Sequence, residues 1–268
     1  MRPLDFFILI PCYNDLPGLC RALDSVRYEP EKYGVLVVDD GSAVPVRVDM
    51  LEVLGVALPV ESFVIRLDEN RGITAALNAG LAWLGRRRDY RFVARLDCGD
   101  VCHGDRFIRQ VDYLTKHVDV DLLGSWARFE DFSTGFSYPY RTPRDLDKIV
   151  VGMHFRNLFI HPTVMWRATV QDKVPAYPAD LPHAEDYGFF CEILRYGGRA
   201  AILPEELVTC RIDPRGLSLR HRRRQLKSRI KTVLRYRTNK LLGLLGALKL
   251  GLLLLIPYRI VLLLKCIL

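Results

Sequence analysis

Acidic residues stop at Asp213: the remaining 55 residues carry 14 Lys and Arg and not one Asp or Glu. Residues 1–213 alone have a net charge of −6, so the +8 of the chain belongs to its end. That split excludes a uniformly basic nucleic-acid binder and points the tail at a membrane surface. Seven cysteines are scattered with no CxxC pair, which excludes a disulfide framework and suits reduced thiols. Cys98, Cys102 and His103 lack a second cluster of ligands, so structural zinc is not expected either. The N-terminus, MRPLDFFILIPCYND, has an apolar run of only five residues before Pro11, too short for a secretory signal, and the protein is expected to stay inside the cell. With no internal repeat and no low-complexity linker, residues 1–213 read as one α/β domain and 214–268 as a tail.

What is present begins with continuous apolar runs: Phe6 to Ile10, Val35 to Val38, and shorter ones at Phe63 to Ile65 and Phe92 to Ala94. Unbroken rather than alternating runs predict strands buried on both faces of a parallel sheet. Between them ITAALNAGLAWL places Ile73, Ala76, Leu77, Gly80, Leu81 and Leu84 on one helical face. Strand and helix alternate through about residue 120, which predicts an open, mainly parallel sheet flanked by helices. Residues 121–213 mix strand-like pieces (LLGSWARF, PTVMWR, AAILP, LVTCRI) with one helical stretch from Glu185 to Tyr196. Each early strand ends in polar residues: CYND, DDGS, RLDENRG and DCGD. Ligands of open parallel sheets bind beyond the carboxyl ends of the strands, so four polar ends converge on one site.

Acids at strand ends accept hydrogen bonds from ribose or base, and they hold hard cations. Asp39 and Asp40 precede Gly41, where the backbone can approach a ligand closely; a solvated turn has the same composition. Asn70 and Arg71 stand before the helix at Ile73, where amides and a cation favour an anion. Glu185 and Asp186 open an apolar helix; carboxylates there also serve the helix dipole. His161, before Pro162, reads as a structural histidine or as a lining residue of an acceptor site.

Taken together, PCYND, VVDDGS, ENRGITAALNAGL, RLDCGD, HPTVMWR and AEDYGFF resemble glycosyltransferase family 2, of GT-A fold, in order and spacing across residues 5–212. The resemblance implies an inverting transferase of nucleotide-activated, UDP-linked sugars. It implies substrate contacts by Pro11, Tyr13, Asp40, Asn70, Arg71, Asp97 and Glu185, with Tyr13 stacked on uracil and Asp40 bonded to the base. It implies Asp186 as general base, taking the acceptor's proton. Family members commonly read LDADD where this chain reads LDCGD, so Gly99 replaces the usual metal ligand. A divalent cation, Mg²⁺ or Mn²⁺, is then left with Asp97 and Asp100, and Arg71 or Arg95 are candidates for neutralising the diphosphate without one.

From Arg215 to Lys240 the tail has 11 basic residues, and residues 241–264 are long enough to span a bilayer as a helix. Lys249 and Arg259 each cost roughly 2.5–3.5 kcal/mol near the midplane, and Pro257 kinks the run. Helices lying in the cytoplasmic leaflet are expected in preference to a single span. The expected function is therefore transfer from a nucleotide-sugar donor to a lipid-linked or envelope polysaccharide acceptor at the cytoplasmic membrane face, with no nucleic-acid partner. A nucleotidyltransferase is the alternative, but PCYNDLPG is a poor phosphate loop; a non-catalytic sugar-nucleotide or membrane-binding module is another.

Overall fold

The computed structural model describes residues 3–87, 89–212 and 221–256. The elements run β1 (Leu4–Cys12), α1 (Leu16–Asp24), β2 (Tyr33–Asp39), α2 (Val48–Val53), β3 (Glu61–Arg66), α3 (Ile73–Leu84), β4 (Tyr90–Arg95) and β5 (Val101–Cys102). They continue α4 (Arg106–Lys116), β6 (Val120–Glu130), β7 (Ser137–Tyr140), α5 (Leu146–Gly152), β8 (Met165–Arg167) and α6 (Glu185–Arg195). Last come β9 (Arg199–Arg211), α7 (Arg222–Tyr236) and α8 (Lys240–Leu255).

The strands form one sheet in the order β3-β2-β1-β4-β8-β6-β9-β5, with β7 added beside β6. The pairs β1–β2, β1–β4, β2–β3 and β6–β9 are parallel, whereas β8 lies antiparallel to both β4 and β6. The sheet is thus mixed and mainly parallel, as expected. β1 shows why its run is unbroken. Phe7 and Leu9 face one core with Leu36, Val38, Leu77 and Leu81. Phe6, Ile8 and Ile10 face the other with Leu19, Val35, Val37 and Phe107. Gly80 lets α3 lie close on β1, because a Cβ there would come within 2.4 Å of Leu9 Cδ1. AAILP and LVTCRI turn out to be one strand, β9, whose pairing with β6 shifts register between Ser125 and Ala127. Pro204 is exposed at that break, and its ring interrupts the apolar pattern without ending the strand.

The tail packs back on the domain. Leu226, Val233 and Tyr236 of α7 and Leu250 of α8 join the core that holds α6. Asp180 anchors α7 through Lys231 Nζ at 2.6 Å and Arg235. Buried His154 receives the Thr238 and Asn239 amides at 3.2 and 3.3 Å, fastening the α7–α8 turn to α5. Among the described residues no helix is long and apolar enough to cross a membrane. Arg215, Arg220, Pro257 and Arg259 lie outside the described residues.

Candidate active site

The ends of β1 and β2 are stitched together. Asn14 adopts a left-handed φ of 50°, its amide donates to Ser42 Oγ at 2.9 Å, and its side chain accepts from Ala43 N–H at 2.8 Å. The stitch leaves Tyr13 projecting, 49% exposed, while the Pro11 carbonyl points inward and accepts from the Cys98 thiol at 3.3 Å.

The two acids of DDGS separate in role. Asp39 is wholly buried and accepts from the amides of Ser42 (2.9 Å) and Val46 (3.1 Å) and from the Arg66 guanidinium. Burial alone would raise its pKa, but those donors hold it below the usual range. Asp40 accepts from the amides of Arg71 and Gly72, both at 2.9 Å. Each Asp40 oxygen therefore shapes the loop entering α3, and Asn70 and Arg71 stand exposed on that loop. Gly41, at φ 71°, is required by the same contact, since a Cβ would meet the Glu69 carbonyl carbon at 2.4 Å.

Beneath DCGD lie two fully buried arginines. Arg95 donates to His161 Nε2 at 3.2 Å, to the Leu96 carbonyl at 2.9 Å, to the Leu9 carbonyl and to Asp97. Arg106 reaches the Arg95 carbonyl at 2.7 Å and Gln110 Oε1 at 3.1 Å. Arg95 is thus spent on the fold and cannot serve a bound phosphate. His161 also accepts from the Tyr177 hydroxyl at 3.0 Å, and burial followed by the Arg95 charge keeps its pKa low, so it is a neutral structural acceptor.

Asp97 is one-third exposed and opens toward the site. Asp100 is buried, with Oδ1 accepting from the Arg211 amide at 2.8 Å; burial first, then the Asp97 charge, raises its pKa well above the carboxylate range. Asp97, Gly99 and Asp100 do not form the donor set expected for a divalent ion. One acid is engaged by an arginine, one is turned inward, and the position between them has no side chain. Among the described residues no group of three or more His, Cys, Asp or Glu is placed to hold a metal.

The second acidic pair sits at the start of α6. Glu185 is buried and its Oε2 has no hydrogen-bond partner; burial and then the Asp186 charge push its pKa up to about 7. Asp186 is half-buried and accepts from Asn157 Nδ2 at 2.8 Å. Burial raises its pKa too, opposed by the Tyr187 amide and by Arg229 of α7. The Asp97 charge acts on both acids, so residues nearly 90 apart in sequence share one electrostatic site. The fold therefore gathers Asp97, Glu185 and Asp186, arrays Tyr13, Asp40, Asn70 and Arg71 along the β1 and β2 ends, and turns Asp100 away. Asn157, Arg106, Arg211 and Arg229 were not legible as site residues. Nothing in their local sequence marks them, because each acts through a contact made by the fold.

Known proteins resemble this chain in sequence and in fold. Residues 7–169 match the profile described as Glycosyl transferase family 2. The chain is 32% identical over 148 residues to the amylovoran biosynthesis glycosyltransferase AmsE of Erwinia amylovora, covering 55% of this chain and 53% of that protein. It therefore spans about half the length of that relative. It is 26% identical to the UDP-Gal:alpha-D-GlcNAc-diphosphoundecaprenol beta-1,3-galactosyltransferase of Escherichia coli, over 78% of this chain and 74% of that one. In fold it resembles the mannosyltransferase PcManGT of Pyrobaculum calidifontis, solved with GDP-Man and Mn²⁺, at a TM-score of 0.64 and 17% identity. That match covers 88% of this chain and 64% of the other.

Proposed function

Because the chain belongs to glycosyl transferase family 2, we propose that it transfers a sugar with inversion from a UDP-linked donor to a lipid-linked or envelope polysaccharide acceptor. The observation that carries this reading is the acidic pair at the start of α6, buried Glu185 and half-buried Asp186, both acted on by the charge of Asp97. In the reaction an acceptor hydroxyl attacks the anomeric carbon and its proton passes to Asp186. The bond from that carbon to the diphosphate oxygen breaks on the opposite face, and the nucleoside diphosphate leaves with the electron pair. Asn157 aims the Asp186 carboxylate, while desolvation raises its pKa and so makes it a stronger proton acceptor than an exposed aspartate. Tyr13 is the exposed aromatic beside Asp40 and stacks on the base, with Asn70 and Arg71 at its edge. No step is routed through a divalent ion, since the acids at 97–100 do not make a seat for one.

The acceptor assignment rests on the tail. Leu241, Leu244, Leu245, Leu248, Leu252 and Leu255 form an exposed stripe along α8. The exposed Arg223, Arg224 and Lys227 of α7 add positive charge to the same tail. An exposed leucine stripe on a basic helical pair suits a helix lying in an anionic leaflet, with the enzyme on the cytoplasmic face. A helix of 16 residues reaches only about 24 Å at 1.5 Å per residue, short of the hydrocarbon core.

The test is nucleotide release from a panel of sugar nucleotides in the presence of membrane lipid extract, with anomeric configuration read by NMR. Asp186→Asn is expected to lower turnover by at least about a hundredfold while diphosphate affinity stays within a few-fold. Retention of near-normal turnover would remove Asp186 from its role, and retention of configuration would end the inverting assignment.

A further inference from the structure

The loop at Gly99 raises a problem of charge. A departing nucleoside diphosphate brings two or more negative charges to a strand end that already holds Asp97, so a positive group must meet it. Arg95 is excluded, because its guanidinium is consumed by two carbonyls, His161 and Asp97 in the buried floor. Arg71 stands on the loop before α3, on the Asp40 side of the site.

Arg211 lies at the missing position itself. It is the last residue of β9, and its amide is fixed by Asp100 Oδ1 at 2.8 Å. Its side chain then runs over Gly99. A Cβ built on Gly99 would come within 3.2 Å of Arg211 Cδ and 3.3 Å of Arg211 Nη1. Gly99 also has a φ of 89°, a region that side chains rarely adopt, so the loop is shaped to leave that space open. Among the described residues the Arg211 guanidinium has one ion pair, Asp15 Oδ2 at the long distance of 3.7 Å, and the side chain is 42% exposed. Such a pair is weak, and on a partly exposed side chain it leaves guanidinium N–H donors accessible beside Gly99. A guanidinium presents paired donors that match phosphate oxygens.

We propose that Arg211, seated over Gly99, is the cation that receives the diphosphate of the donor in this chain, in place of a divalent ion held by an acid at position 99. The inference rests on the nucleoside-diphosphate donor proposed above. In the transfer step Arg211 donates N–H bonds to the leaving diphosphate as its charge grows, and no proton or electron changes hands at the arginine. Gly99 then leaves the room that the arginine occupies, because at 3.2 and 3.3 Å a Cβ there would make the Arg211 side chain give by a few tenths of an ångström, and the Gly99 φ of 89° strains any side chain.

The experiment is calorimetric titration of the full-length protein with UDP, GDP and uridine, after exhaustive treatment with EDTA and again with added Mn²⁺ or Mg²⁺. Diphosphate affinity is expected to change less than about twofold between the two conditions. Arg211→Ala is expected to weaken diphosphate binding about tenfold or more while leaving uridine binding unchanged, and Arg211→Lys to recover part of the loss. Gly99→Asp is expected to weaken it as well, with no rescue by Mn²⁺. Thermal unfolding of each variant checks that the fold persists, and Arg211→Lys keeps the charge on the same backbone. Diphosphate binding that collapses on chelation and returns with metal overturns the inference and leaves the donor reading intact. So does an Arg211→Ala protein that binds the diphosphate as tightly as the parent. A parent protein that binds neither diphosphate, with or without metal, overturns the donor reading and this inference with it.

Discussion

Replacing Glu185 by Gln should stabilise the protein at alkaline pH and not at acid pH. The carboxyl is buried, Oε2 has no partner, and its neighbour Asp186 is also acidic, so ionisation is disfavoured in the folded state. Its pKa rises from the ordinary 4.5 to about 7 on folding. Below pH 4.5 the group is protonated in both folded and unfolded chains and contributes nothing. Between 4.5 and 7 the folded chain binds more protons than the unfolded one, so stability falls as pH rises through that window. Above it the full cost is present, about 3 kcal/mol at about 1.4 kcal/mol per pH unit. Gln removes this cost but brings its own amide-burial penalty, which is the same at every pH. The measurable quantity is therefore the difference between the effects of Glu185→Gln at pH 8 and at pH 4.5, expected at about 2–3 kcal/mol in favour of the variant at pH 8. Urea unfolding followed by the fluorescence of buried Trp166 gives both values. Carboxylates remote from the acidic pair are common to both proteins and cancel. A difference within about 0.5 kcal/mol would mean that water or a counter-charge reaches Glu185, and the electrostatic account of the acidic pair would fail.

The Asp97 charge raises the pKa of Asp186, so Asp97→Asn is expected to move the acid limb of the transfer rate to lower pH, as measured in a pH–rate profile; an unmoved limb would separate Asp97 from the general base. Asp40→Ala leaves the Arg71 and Gly72 amides without their acceptor, at a cost of about 1–3 kcal/mol in chemical unfolding, and diphosphate binding should weaken with it. A melting curve identical to that of the parent would deny Asp40 its part in shaping the α3 entry. Leu244→Ser, Leu248→Ser and Leu252→Ser together should leave vesicle binding that high salt removes, whereas the parent should resist salt in flotation on anionic vesicles. Salt-sensitive binding by the parent would show that the stripe does not insert.

The early strands, α3, α6 and the convergence of polar strand ends were all legible in the sequence, for one reason. A strand buried on both faces needs an unbroken apolar run, and a helix against a sheet needs a periodic face, so local composition carries the whole requirement. The motif order carried the family, and the charge break after Asp213 carried the unusual tail. Tertiary structure decided matters that depend on meetings between distant residues. Arg95 looked available beside Asp97 and proved to be buried structure, because only the packed sheet reveals which carbonyls it must satisfy. AAILP and LVTCRI became one strand because β6 supplies the hydrogen bonds on both sides of Pro204. The basic α7 hides an inward face of Leu226, Val233 and Tyr236, whose burial depends on α6 being present to cover them. Gly99 read alone is a missing acid; with the side chain of Arg211 brought over it from the far end of β9, it is a space kept open. A sequence records which side chains exist, whereas the distance between residues 99 and 211 is set only when strands far apart in the chain share an edge of one sheet.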